Sequence, residues 1–251
     1  MKKNSLSGVL FGLCCLIVIC TVGVAVLHAS DFLYRYEMKA LGLSFQTGLS
    51  EEILLRNYHA VTAYLAPFHN RPFSLPDFSF SPQGAYHFEE CRVLFSNVYL
   101  AGSCCLLLVV VMLFRLHGKT GRRFWFGAAA AVGVLPLVIL CAITAAPTET
   151  FNLFHFLFFR NDYWIFDPGA DPVIQIFPME FFLHCGVFLV LCWILCALAF
   201  FLTGLCKKRR ENPGDVPFPH RNPCALCSSS FRRPAAETDR FIDIIRQKNE
   251  K

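Results

Sequence analysis

The chain has 251 residues, 55% of them hydrophobic, and a formal net charge of +5. A soluble domain keeps its apolar residues in short periodic runs. Here they come in long uncharged blocks, which excludes an ordinary soluble domain and indicates a polytopic membrane protein. The 13 cysteines are not a disulfide framework, because most lie in or at the ends of those blocks, where a thiol packs as a small apolar residue.

Four blocks are long enough to cross a bilayer: residues 8–29, 95–114, 124–146 and 181–205. A hydrocarbon core of about 30 Å needs about 20 apolar residues at a rise of about 1.5 Å each. The first block follows Lys2 and Lys3 and ends in "LHAS". It is longer than a signal-peptide core and has a poor cleavage site, so it is expected to stay as an anchor.

Residues 30–94 make a first outer segment, too polar to enter lipid. In "SEEILLRNYHAVTAYLA", Ser50 is a candidate N-cap, and Ile53, Leu54, Tyr58, Val61 and Leu65 recur at helical spacing. The pattern predicts a helix on or near the membrane. "PFHNRPFSLPDFSFSPQG", with Pro67, Pro72, Pro76 and Pro82, predicts an extended, turn-rich loop. "AYHFEECRVLFSNVYL" then runs into the second block, which puts His87 one to two turns above the apolar core, at the start of a helix.

Residues 147–180 make a second outer segment. Its "FNLFHFLFF" is apolar but too short to span, so it is re-entrant, interfacial or buried in protein. "NDYWIFDPGADPVIQIFP" follows, with Tyr163 and Trp164 suited to the headgroup level and two Asp-Pro steps that favour turns.

Orientation follows from the basic residues beside the blocks. Lys2 and Lys3, then Arg115, Lys119, Arg122 and Arg123, then Lys207, Lys208, Arg209 and Arg210 all fall on one side, against Arg160 alone after the third block. The positive-inside bias places both termini in the cytoplasm. The expected fold is an all-α membrane protein of four transmembrane helices, with the two outer segments forming a small extracellular cap. Residues 1–205 are the membrane domain, and 206–251 a basic, largely disordered cytoplasmic tail. The tail holds His220, Cys224 and Cys227, either part of a zinc site or a reduced surface pair, and a short amphipathic stretch through Phe241, Ile244 and Ile245.

Ionisable groups held against a membrane are costly there and are candidates for function. His87 and His155 are the two best placed; His28, His59, His69, His117 and His184 also occur. Phe154, Phe156, Phe158 and Phe159 leave His155 little water, which lowers an imidazole's pKa and keeps it a neutral general base. No GxSxG elbow, HExxH or phosphate-binding glycine loop is present. Cys91 stands four residues after His87, so a Cys–His pair is conceivable, and Cys91 and Cys185 could instead pair with each other. The site suits a substrate that brings its own nucleophile.

"YHFEECR" at 86–92, "FHFLFFRNDYWIFDPGADPVIQIFPMEFF" at 154–182, "LLRNYHAVTAYL" and "FSLPDFSFSPQGAYHF" together resemble the bacterial lipoprotein intramolecular transacylase (Lit) family, over about residues 5–205. The resemblance implies an acyltransferase in the cell membrane. Its substrate is a diacylated lipoprotein, whose sn-2 acyl chain moves to the α-amine of the N-terminal cysteine and leaves a lyso-form lipoprotein. It also implies His87 and His155 as the catalytic pair. Glu90, Arg92, Asn161, Asp162, Trp164 and Asp167 are second-choice site residues, either binding or orienting groups or, structurally, helix-end hydrogen bonds, an interfacial anchor at Trp164 and a turn at Asp167. The family pattern has Asp-Val where Glu90 and Cys91 stand here. No metal or cofactor is required, no nucleic acid is expected, and the expected partners are the lipoprotein and membrane lipids. The alternatives are a non-enzymatic scaffold or sensor, or a different lipid-modifying enzyme on the same fold.

Overall fold

The computed structural model describes residues 3–67 and 71–211. His69, the His220–Cys227 group and the stretch around Phe241 lie outside the described residues. Among those described, the elements are α1 (Lys3–Ala29), α2 (Phe32–Ala40), α3 (Leu43–Thr47), α4 (Glu51–Leu65), α5 (Pro82–Leu116), α6 (Arg122–Ala145), α7 (Pro147–Phe158), a short 3-10 helix (Pro172–Ile176) and α8 (Met179–Glu211). Helices α1, α5, α6 and α8 are long and apolar enough to cross a membrane, and they carry the four blocks read from the sequence.

Helix α1 packs against α5, α6 and α8, and α6 also packs against α8. Lipid tails are as apolar as leucine, so helices in a bilayer are held by close van der Waals contact and a few hydrogen bonds rather than by exclusion of water. The α1–α6 crossing uses small residues for this. Gly8 abuts the Phe124 carbonyl, and a Cβ on Gly12 would stand 2.6 Å from the Ala128 carbonyl oxygen. Polar ties cross the bundle as well. The Thr21 hydroxyl, on α1, lies 3.0 Å from the Val98 carbonyl of α5, and the Trp193 indole of α8 donates to the Leu16 carbonyl at 2.9 Å.

Helix α5 has 35 residues, about 52 Å at the α-helical rise, well over the ~30 Å hydrocarbon core. Its start, residues 82–94, carries Glu89, Glu90 and Arg92 and extends beyond the apolar stretch. The cap is built around this extension. Ser50 caps α4 by accepting from the Ile53 amide at 3.3 Å, as the sequence predicts. The buried face of α4 is Leu54, Asn57, Tyr58, Val61, Thr62 and Tyr64, with Ile53 and Leu65 half-buried at its edges.

Helices α2 and α3 were not apparent from the sequence, where residues 30–49 read only as polar. They are joined by Gly42 and followed by Gly48, both at positive φ (63° and 69°), where a side chain would be strained. Tyr34 on α2 is fully buried. It stacks on Tyr58 at 4.1 Å and donates to the Ile176 carbonyl at 3.0 Å.

Asp77 anchors the proline-rich loop. It accepts from Arg56 Nε at 2.9 Å and from Asn57 Nδ2 at 2.7 Å. The loop ends at Ser81, which caps α5 through the Gly84 amide at 2.9 Å. The Ser81 amide and hydroxyl both donate to buried Asp171, at 2.7 and 2.8 Å. This clamp binds the second outer segment to the start of α5.

Because Gly12 has no room for a side chain, Gly12→Val should separate α1 from α6. The expected cost is about 1–3 kcal/mol, read as a lower thermal unfolding midpoint in detergent. The same substitution at Gly42 or Gly48, where a Cβ meets nothing within 4 Å, should act only through backbone strain and leave the helix crossing intact.

Candidate active site

His87 lies in the second turn of α5 and His155 in the third turn of α7, and both are buried. Helix α6 ends at Ala145, a single residue breaks the helix, and Pro147 opens α7. Ala146 is non-helical (φ −148°, ψ 72°), and a proline needs no helical amide partner in the first turn, so a separate helix, α7, starts there. This brings the two imidazoles together, with ring centroids 6.0 Å apart and planes inclined at 35°.

The phenylalanine wall is not arranged as sequence adjacency implied. At 100° per residue, neighbours of His155 in sequence point elsewhere. Phe156 and Phe158 are 76% and 54% exposed, whereas His155 is 9% exposed. The burying residues stand four positions away on its own face, Phe151 at 4.3 Å and Phe159 at 5.6 Å, with Trp164 stacked on the ring at 4.5 Å. Phe154 touches it edge-on at 5.4 Å. On the other ring, Phe159 meets His87 edge-on at 4.7 Å and Phe166 at 5.6 Å.

A hydrogen bond gives the His155 ring a defined polarity. His155 Nδ1 lies 2.8 Å from the Phe151 carbonyl oxygen. A carbonyl can only accept, so Nδ1 carries the proton and Nε2 keeps its lone pair. His87 Nδ1 is buried, 3.9 Å from Glu90 Oε2, and its Nε2 lies 3.5 Å from Cys91 Sγ. The other oxygen of Glu90 accepts from Asn161 Nδ2 at 2.8 Å, and Asn161 Oδ1 accepts from the Tyr163 amide at 3.0 Å. A chain of contacts therefore runs from the loop after α7 through Glu90 to His87.

Burial lowers the pKa of both imidazoles. For His87 the value falls to about 4, mainly through lost hydration and then through the neighbouring His155. His155 is lowered by burial, partly offset by its bond to the Phe151 carbonyl. Burial and then Glu90 push the Cys91 thiol up to about 12. Cys91 and Cys185 are both free thiols, so the pairing left open by the sequence is not formed.

The remaining candidates divide. Trp164 and Asn161 reach the pair, directly and through Glu90 respectively. Arg92 turns away: it bonds Glu89 at 3.3 Å, lies over the Tyr64 ring at 5.3 Å and lines a separate cleft of about 510 Å³ with Arg71 and Tyr86. Asp162 is exposed, and its carbonyl accepts the Ile165 amide in a turn. Asp167 closes a turn by accepting from the Gly169 amide at 2.9 Å. Phe151, Phe166 and Asp171 were missed by sequence reasoning. The spacing of Phe151, four residues before His155, was the one available signal; the other two depend on chain folding.

Neutral buried imidazoles make stability pH-dependent. Their folded pKa values lie below the unfolded value of 6.5, so the unfolded chain binds more protons between about pH 6.5 and 4, and stability falls as pH drops through that window. Asp31 and Asp77, held low by Arg35 and Arg56, act below it. Between pH 7 and 4.5, His87→Gln should remove on the order of 2–3 kcal/mol of the acid-induced loss, seen as a shallower fall of the unfolding midpoint with pH than in the parent.

The family model for lipoprotein intramolecular transacylase Lit matches residues 9–182. No curated protein matches the chain. Among solved structures, the membrane-integral lipoprotein intramolecular transacylase Lit from Bacillus cereus is similar at 22% identity, with a TM-score of 0.78 over 84% of this chain and 99% of that one. Two variants of that protein, with a histidine replaced by arginine or by alanine, are similar at 22% identity and TM-scores of 0.72, over 84% of this chain and 95% and 96% of theirs. At that identity the solved structures establish the shared fold, and the family model covers well over half of the sequence: the chain belongs to the lipoprotein intramolecular transacylase family, which are acyltransferases integral to the membrane.

Proposed function

We propose that the protein moves the sn-2 acyl chain of a diacylglyceryl lipoprotein to the α-amine of that lipoprotein's own N-terminal cysteine, leaving the lyso-form. The observation that carries this is the pair of buried imidazoles with ring centroids 6.0 Å apart, His87 on the start of α5 that extends beyond the apolar stretch and His155 on α7. The Lys and Arg bias supports a cap on the extracellular side, where a lipoprotein's acyl chains lie in the membrane and its amine above it.

Ester and amine belong to one molecule, so attack is intramolecular. Holding them in the reactive geometry can supply an effective molarity of roughly 10⁵ M or more. The amine nitrogen bonds to the ester carbon, the carbon–oxygen bond to glycerol breaks, and one proton passes from nitrogen to the glyceryl oxygen. His155 is the base, since its Nε2 lone pair is open while Nδ1 is held by the Phe151 carbonyl. His87, facing it, relays the proton towards the leaving oxygen. Two neutral rings suffice, because the proton taken up is the proton delivered. Each such transfer typically contributes roughly 10²–10⁴-fold. Glu90 and Asn161 orient His87, and Trp164 holds the plane of His155. No metal or cofactor enters this scheme.

The test replaces each histidine by an amide, which keeps a hydrogen bond but takes up no proton at neutral pH. Parent, His87→Asn, His87→Gln, His155→Asn and His155→Gln are expressed in a bacterium that makes diacylated lipoproteins, and lipoprotein N-termini are read by mass spectrometry. The parent should yield N-acylated lyso-form, and the four variants a loss of at least 10²-fold. A parent that moves no acyl chain would overturn the transacylase reading; active amide variants would overturn the two-histidine mechanism alone.

A further inference from the structure

We propose that Cys91 is a positioning residue for His87, its thiol donating a hydrogen bond to Nε2 and holding the ring as the Nδ1–H tautomer. Residues 87 and 91 are one helical turn apart on the same face of α5, and Sγ stands 3.5 Å from Nε2, within reach of an S–H···N bond. The opposite edge of the ring points at Glu90, whose Oε2 is 3.9 Å from Nδ1 and whose Oε1 is tied to Asn161. At 3.9 Å the two atoms make no hydrogen bond, but a lone pair on Nδ1 would stand against the lone pairs of a carboxylate oxygen, so the proton belongs on Nδ1, the lone pair on Nε2, and the hydrogen between nitrogen and sulfur on the sulfur.

The thiol is suited to that role and poorly suited to attack. Burial and the Glu90 carboxylate both oppose its ionisation, whereas a reactive cysteine needs an environment that favours the thiolate. The groups facing His87 are then Glu90, Cys91 and His155, and the first two favour the same tautomer. His155 is fixed in that tautomer separately, by the Phe151 carbonyl. A thiol is a weak donor, so a substrate amine or hydroxyl can displace it from Nε2 without a large cost.

The tautomer stands on geometry, and only its kinetic consequence rests on the transacylase reading, so the two are tested separately. Full-length protein with ¹⁵N-labelled histidine is examined by NMR in detergent at pH 7, with His87 assigned by loss of its signals in His87→Gln. The parent and Cys91→Ser should show Nδ1–H at His87. Cys91→Val and the smaller Cys91→Ala should show an Nε2–H fraction raised roughly two- to fivefold, with His155 unchanged as the control for folding. Turnover of a synthetic diacylated lipopeptide should fall by a similar factor in the two apolar variants, with KM nearly constant, and be kept in Cys91→Ser. The proposal is overturned if Cys91→Val and Cys91→Ala keep the parent's tautomer ratio, or if Cys91→Ser loses it as they do. An acyl thioester on Cys91 in the intact-protein mass would also overturn it, by making the thiol a nucleophile. If the parent shows no turnover, the transacylase reading fails while the NMR comparison still decides the role of Cys91.

Discussion

The architecture depends on a mismatch of length. A helix of 35 residues is longer than an ordinary bilayer core by about 20 Å, and its excess is placed at the end that bears the cap. That extension offers a rigid surface on which both outer segments fold. Ser81 and Asp171 bind the second segment to its first turn, Phe88 stacks on Phe73 of the proline-rich loop at 4.4 Å, and His87 projects from its second turn. An imidazole on a loop would have its position set by the loop's mobility. On this helix its position is set by the same hydrogen bonds that hold the backbone.

The cap solves a difficulty that the membrane does not. In lipid, apolar contact between helices gains little, so the bundle relies on glycine and alanine at close approach. Above the apolar zone water returns, and burial of aromatic surface becomes favourable. Tyr34, Tyr58, Phe177 and Phe181 pack ring against ring there. The candidate site lies where the two regimes meet, boxed by Phe151, Phe159, Trp164 and Phe166. Such a box excludes water from the imidazoles and so holds them neutral, but it leaves their nitrogens needing partners. The Phe151 carbonyl meets this need for His155; for His87 the neighbours are Glu90 on one side and the Cys91 thiol on the other.

Much of this was legible without coordinates. Uncharged blocks of about 20 residues leave a chain few options, because every backbone polar group in lipid must be satisfied within a helix. The four spans and the cap of α4 at Ser50 are local properties of this kind. The candidate histidines were legible too, because an ionisable residue in apolar surroundings departs from the pattern around it. What surrounds them was less so. Phe154, Phe156 and Phe158 are close to His155 in sequence, yet two of them face outward, and Trp164 and Phe166 reach the rings from the loop that follows α7.

By its apolar periodicity, cap residues and basic flanks, then, the sequence alone determined the class of protein, the number of spans and which histidines stand near the cap end. Those are consequences of local chemistry acting over a turn or a span. The pairing of His87 with His155 across 68 residues of chain, the separation of Arg92 from them, and the burial of Asp171 at the start of α5 were decided only by tertiary structure. Each depends on the angle at which α7 leaves α6 and on the path of the loop that follows it. Those are set by packing between segments far apart in the chain, which no local pattern records.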